Sequence, residues 1–143
     1  MANVLIVDDQ PCVREFISEE LICVGHQVTG VGSAESLMVH LRSKHFDLVL
    51  LDLYLEGPNG FELLGDIKRE YPDLPVIIVT AYDNFADDPR LSGASGYVLK
   101  STDLGELKQR VDDVMRKRAA SQVKMAHWPH LRQVRLRRAL QPQ

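Results

Sequence analysis

Three unbroken aliphatic runs punctuate the chain: Val4-Leu5-Ile6-Val7, Leu48-Val49-Leu50-Leu51 and Val76-Ile77-Ile78-Val79. Such runs suit strands buried on both faces of a parallel sheet. Two segments of mixed character, Gln27 to Val31 with its alternation and Tyr97 to Leu99, read as strands at the sheet's edges. Between the strands, apolar residues recur at helical spacing: Val13, Phe16, Ile17, Leu21 and Val24; Ala34, Leu37, Met38 and Leu41; Phe61, Leu64 and Ile67. After the last strand, Leu104, Leu107, Val111 and Val114 mark a further helix, with Ser101 to Asp103 as its cap region. Strand and helix alternate with short connections, which implies right-handed crossovers and helices on both faces of the sheet. We expect a three-layer, doubly wound α/β domain with five parallel strands over about residues 1–118. The stretch from Thr80 to Gly93 breaks the rhythm. Asp87-Asp88-Pro89 falls in its middle, and the residue before a proline is pushed away from helical dihedrals, so a shortened fourth helix of one or two turns is expected there.

The 143 residues make one ordinary domain with a short appendage, and 45% apolar with 26% charged residues disfavours both disorder and a disulfide-held miniprotein. The longest purely aliphatic runs are four residues, against about 20 for a membrane helix, and no basic n-region with an apolar h-region opens the chain. We therefore expect no membrane span and a cytoplasmic protein. Cys12 and Cys23 lie eleven apart without CxxC spacing and read as small buried or half-buried thiols. The charge is split. Residues 1–115 hold nine basic residues against all 20 acidic ones, a net −11, while residues 116–143 hold eight basic residues and no acid. An acidic body thus carries a basic tail, residues 119–143.

Ligands of an open parallel sheet bind outside the C-terminal ends of its strands, so the residues that close each strand matter most. The first strand ends in Asp8-Asp9, the third in Asp52, the fourth in Thr80 and the fifth in Lys100. Each alone has an ordinary explanation as a cap, a turn residue or a solvated lysine; their convergence on one rim is what carries chemistry. Three neighbouring carboxylates repel one another unless a cation sits among them. Oxygen-only ligands with room for water and a phosphate describe Mg²⁺ better than Ca²⁺ or zinc; His26, His40 and His45 end none of these strands. With part of the charge neutralised, one aspartate can act as a nucleophile towards phosphorus. Lys100 and Thr80 can then hold and offset the equatorial oxygens.

Val4 to Asp9, Leu50-Leu51-Asp52-Leu53 with Gly60 eight residues after the aspartate, Val79-Thr80-Ala81, and Gly93 to Lys100 together resemble the receiver domains of two-component response regulators. The resemblance spans essentially all of residues 3–118. It implies a flavodoxin-like strand order, 2-1-3-4-5, and Asp52 as the phosphoacceptor, modified by a sensor histidine kinase or phosphotransfer protein. It further implies that Mg²⁺ is held by Asp9, Asp52 and the backbone carbonyl of Tyr54, with Asp8 assisting through water. Thr80 and Tyr97 would be a switch pair and Lys100 the phosphoryl clamp. A dianionic group on Asp52 would attract the Thr80 hydroxyl and vacate space for the Tyr97 ring, shifting populations between two states and changing a surface. The downstream effector stays unspecified and a homodimer stays open.

Several positions depart from the family pattern. Ser101 follows Lys100 where a proline joined by a cis peptide is usual, and Glu56 stands where a proline is common. The spacing of 20 from Thr80 to Lys100 is about two residues short. Tyr54 and Tyr82, each two residues after a site residue, could flank a phosphoryl group and slow its hydrolysis. The tail, with Trp128 and the run Leu131 to Arg138, has a composition suited to nucleic acid, an anionic membrane surface or the acidic body. A flexible extension is its more ordinary explanation. It is too short for a helix-turn-helix output domain, which suggests a stand-alone receiver or one cut from a longer regulator. Two alternatives compete with the switch: a Mg²⁺-dependent aspartyl-phosphate phosphatase or phosphotransferase, in which Tyr54 stands where that class commonly has an acid, and a binding module whose acids merely hold a metal.

Overall fold

The computed structural model describes residues 2–55, 60–81, 87–101 and 103–126, with side chains as far as residue 121. Glu56 to Asn59, Tyr82 and the tail beyond residue 126 lie outside the described residues. The element order is β1 (Asn3–Val7), α1 (Pro11–Cys23), β2 (Gln27–Val31), α2 (Ala34–Ser43), β3 (Leu48–Leu51), α3 (Gly60–Glu70), β4 (Val76–Thr80), a 3-10 turn (Pro89–Leu91), β5 (Gly96–Leu99) and α4 (Gly105–Ala126).

The five strands form one sheet in the order β2-β1-β3-β4-β5, every pairing parallel. This is the flavodoxin-like arrangement the sequence implied. The aliphatic runs are the three inner strands: β3 and β4 are buried at every position and β1 at all but its first. The mixed segments are the edges. Register brings the strand ends level, with Val7 beside both Val31 and Leu51, and Thr80 beside Leu99, so whatever follows each strand emerges on one rim.

The sheet divides two cores. Alternate residues of β1, β3 and β4 (Leu5, Val7, Val49, Leu51, Val76, Ile78) pack with α2, α3 and Leu91 of the 3-10 turn. Their neighbours (Val4, Ile6, Leu48, Leu50, Ile77, Val79) pack with α1 and α4. On α1 the buried stripe is narrower than the periodicity suggested. Ile17 and Leu21 are buried and Val13 packs against them, but Phe16 and Val24 are exposed. Cys12 and Cys23 are also exposed, against the expectation of buried or half-buried thiols; both fall off the Val13-Ile17-Leu21 line that faces the sheet.

Helix ends follow local chemistry. Pro11 opens α1, where its missing N–H costs nothing, and Gly25 beyond its end adopts a positive φ of 100° that suits glycine. The Ser33 hydroxyl accepts from the Ser36 amide at the start of α2, and Asp103 Oδ1 accepts from the Gly105 amide at the start of α4. Between β4 and β5 the described residues hold a 3-10 turn, with Asp88 accepting from the Arg90 amide and Pro89 as its first residue. At the other end of the chain, α4 runs eight residues past Arg118.

Candidate functional site

The rim assembles from strand ends. Asp8 and Asp9 follow β1, Asp52 follows β3, Thr80 closes β4 and Lys100 follows β5. Asp8 and Asp52 are buried and Asp9 is exposed, yet each offers a carboxylate oxygen, and these atoms all lie within 4.8 Å of one another. Lys100 Nζ bridges the two buried acids, 2.8 Å from Asp8 Oδ2 and 3.0 Å from Asp52 Oδ2. Backbone donors orient the remaining oxygens: the Gln10 amide donates to Asp8 Oδ1 at 2.9 Å and the Tyr54 amide to Asp52 Oδ1 at 3.1 Å. The Lys100 amide donates to the Thr80 carbonyl at 2.7 Å, fixing the lysine's root to the next strand. Among the described residues no peptide bond is cis, so Lys100 reaches both acids across an ordinary trans link to Ser101.

The electrostatics are those of a site short of positive charge. Burial pushes the Asp52 carboxyl above the usual aspartate range; the hydrogen bond from Lys100 and the Tyr54 amide pull it back, and the neighbouring Asp8 carboxylate adds to the rise. Burial alone would lower the Lys100 ammonium, but its hydrogen bonds to Asp8 and Asp52 outweigh that, so its pKa stands above the usual lysine value. One ammonium thus pairs with two of the three acids, and the third, Asp9, opens to solvent. An oxygen-only cluster of this size, reachable from water, suits a hard divalent ion that keeps part of its hydration shell, and Mg²⁺ fits.

The other residues singled out by sequence are placed as follows. Thr80 is fully buried. Tyr97 is half-buried and packs against the core shared by α2, α3 and the 3-10 turn. The Tyr54 side chain is exposed. His26, His40 and His45 stay away from the rim: His26 Nδ1 accepts from the Ala2 amide, His40 pairs with the Ser36 carbonyl and His45 with Asp47. A mainly apolar groove of about 340 Å³ starts beside Lys100 and runs between α1 and α4, lined by Val13, Phe16, Leu99, Leu104 and Leu107 among others.

Sequence reasoning missed three contributors. Arg14 Nη1 donates to the Asp8 carbonyl at 2.6 Å, and the Gln10 amide holds the Asp8 carboxylate. Gly60 lies against the backbone of Asp52 and Leu53, its amide donating to the Leu53 carbonyl at 3.0 Å. The first two act through backbone atoms that carry no residue signature; the spacing of Gly60 after Asp52 was visible, but not its contact.

Comparison with known proteins points the same way. The family profile described as the response regulator receiver domain matches residues 4–112. The chain is 39% identical over 101 residues to the response regulator protein FleR of Pseudomonas aeruginosa, covering 69% of this chain and 21% of that protein. It is 35% identical over 119 residues to the heme response regulator HssR of Staphylococcus haemolyticus, covering 82% and 53%. The chain thus spans about half, or less, of the length of these relatives. Response regulator protein TrrA of Thermotoga maritima, solved in complex with Mg²⁺-BeF, superposes with a TM-score of 0.77 at 34% identity, covering 80% of this chain and 99% of that one. The same protein solved in complex with histidine kinase ThkA gives a TM-score of 0.76. A carboxylate cluster closed by a strand-end lysine, on this sheet and within the matched residues, leaves one assignment: the chain belongs to the response regulator receiver domain family.

Proposed function

We propose that this domain is a phosphorylation-activated switch in which Asp52 accepts a phosphoryl group from the phosphohistidine of a sensor kinase or phosphotransfer protein. The observation that carries it is the buried Asp52 carboxylate, with Lys100 on one oxygen and the Tyr54 amide on the other, beside two further acids. Asp9, Asp52 and the Tyr54 carbonyl would hold Mg²⁺, with Asp8 assisting through water, and the ion would supply charge neutralisation when bound. The chain's own groups do the rest. Asp52 attacks phosphorus; a P–O bond forms, the P–N bond to the donor imidazole breaks, and the departing imidazole nitrogen takes a proton from water. Lys100 turns from the carboxylates to the equatorial oxygens, and Thr80 offers its hydroxyl to another. Tyr97, packed over the core beside α3 and the 3-10 turn, then repacks and alters that face. Water attack at phosphorus breaks the P–O bond to Asp52, releases inorganic phosphate and restores the carboxylate, resetting the domain.

Kinase docking is supported by the likeness to TrrA, which was solved with a histidine kinase. We read residues 1–118 as the receiver unit, working in the cytoplasm, and residues 119–143, the first eight of which continue α4, as a separate basic tail. Incubation with Mg²⁺ and acetyl phosphate followed by intact mass measurement tests the proposal. A labile gain of about 80 Da, lost in Asp52→Asn, is expected. Its absence in the unsubstituted chain, or its persistence in Asp52→Asn, overturns the assignment, and rapid turnover of many phosphate esters would favour the phosphatase alternative.

A further inference from the structure

Asp9 belongs to the acidic cluster yet is exposed, so core packing does not set its direction. The peptide plane it shares with Asp8 does. That plane is held from α1: Arg14 Nη1 donates to the Asp8 carbonyl at 2.6 Å, a short, charge-assisted hydrogen bond. To reach it, the Arg14 stem crosses the end of β2, over two glycines. A Cβ on Gly30 would stand 2.9 Å from Arg14 Cγ and 3.0 Å from Cδ, and one on Gly32 would stand 3.2 Å from Nη1. Neither glycine has the positive φ that would call for glycine on backbone grounds, and glycine in a strand weakens it. Their missing side chains leave a trough that the arginine fills. Between them, the Val31 carbonyl accepts from the Asp8 amide at 3.1 Å, so β2 and the side chain lying on it grip Asp8 at both its N–H and its C=O.

We propose that Arg14 is a positioning residue for the divalent-ion site: seated in the Gly30-Gly32 trough, it fixes the Asp8-Asp9 peptide plane and so aims the exposed Asp9 carboxylate into the cluster. Charge and position pull in opposite directions here, which makes the sign informative. As a nearby cation, Arg14 repels Mg²⁺, and its loss by charge alone would tighten binding. As a positioner, its loss weakens binding.

Because Mg²⁺ binding at this cluster is the premise, the test is calorimetric titration of the full chain with Mg²⁺, accompanied by melting curves without the ion. Failure of the unsubstituted chain to bind would remove the site itself, whereas the inference about Arg14 is read from the variants. Arg14→Ala is expected to bind about tenfold more weakly, the lower end for a residue that orients a metal ligand. Gly30→Ala removes no donor but fills the trough, and is expected to weaken binding similarly. The double variant should be no weaker than Arg14→Ala alone, and Arg14→Lys, which keeps a cationic donor on a long stem, should recover part of the loss. A residue that merely stabilised the fold would lower the melting temperature and leave Mg²⁺ affinity in place. The proposal is overturned if Arg14→Ala binds Mg²⁺ as tightly as the unsubstituted chain or more so, or if the Gly30→Ala loss adds in full to that of Arg14→Ala. Should Arg14→Ala not fold, Gly30→Ala in the Arg14→Lys background reads the same coupling.

Discussion

Gly60 and Gly65 stand on one helix, and the same substitution should move stability in opposite directions at the two. A Cβ on Gly60 would lie 2.4 Å from Leu53 Cα, 2.6 Å from the Asp52 carbonyl oxygen and 3.0 Å from the Leu53 carbonyl carbon, whereas one on Gly65 would meet nothing within 4 Å. All three neighbours of Gly60 are backbone atoms, so no flexible side-chain end can swing away. Overpacking costs about 1–3 kcal/mol, and this case belongs at the upper end. Alanine regains up to about 1 kcal/mol over glycine inside a helix, less at its first residue. The net for Gly60→Ala is a loss of about 2 kcal/mol, or roughly 6–10 °C in melting temperature for a chain of this size. Gly65→Ala should gain up to about 1 kcal/mol and melt a few degrees higher. Thermal unfolding of both variants beside the unsubstituted chain, followed by far-ultraviolet circular dichroism at one pH, checks this. Because the displaced backbone carries Asp52, Gly60→Ala should also slow formation of the acyl phosphate while Gly65→Ala leaves it unchanged. Shifts of the same sign at both positions, or a Gly60→Ala chain as stable as the parent, would refute the close approach to the Asp52–Leu53 backbone.

Three further outcomes follow from other contacts. Lys100→Ala leaves Asp8 and Asp52, both buried, without their shared ammonium; breaking a buried pair costs about 3–5 kcal/mol, and millimolar Mg²⁺ should raise the melting temperature of this variant more than that of the parent. Equal Mg²⁺ shifts would show that the lysine does not neutralise the cluster. On the opposite rim, burial pushes the Asp47 carboxyl up, but the Asn3 amide, His45 and Arg118 outweigh it and hold its pKa below the usual aspartate value. A lowered folded pKa means stability present above the unfolded value of about 3.9 and lost as pH falls through the folded one. The melting-temperature gap between the parent and Asp47→Asn should therefore be full at neutral pH and close below about pH 4; a gap constant with pH rules the contacts out as its source. Finally, Leu107→Ala removes a fully buried side chain from the α1–α4 core and should cost about 2–5 kcal/mol, read as a fall in the denaturation midpoint.

Much of this was legible because the fold obeys a strong rule. Unbroken aliphatic runs alternating with helical periods suit inner parallel strands, and the parallel register puts Asp8, Asp52, Thr80 and Lys100 on one rim without knowledge of any loop. The pattern was less informative on α1: Phe16 fits its period yet stays exposed, because a helix lying on a sheet buries only a narrow line, and Val24 falls just past the helix end. It was silent on Arg14, whose role runs through a carbonyl and two absent side chains on a strand distant in sequence. The brake on helix formation at Asp88-Pro89 was readable, and the capped 3-10 turn is its local form.

The sheet is also a partition wall. On β5, Tyr97 belongs to the core beneath α2 and α3 while its neighbour Val98 belongs to the core beneath α1 and α4. A change in the packing of Tyr97 would act first on the core that holds Leu91, and on the opposite core only across the sheet. The groove between α1 and α4 and the face that Tyr97 helps to form thus lie on opposite sides of the sheet.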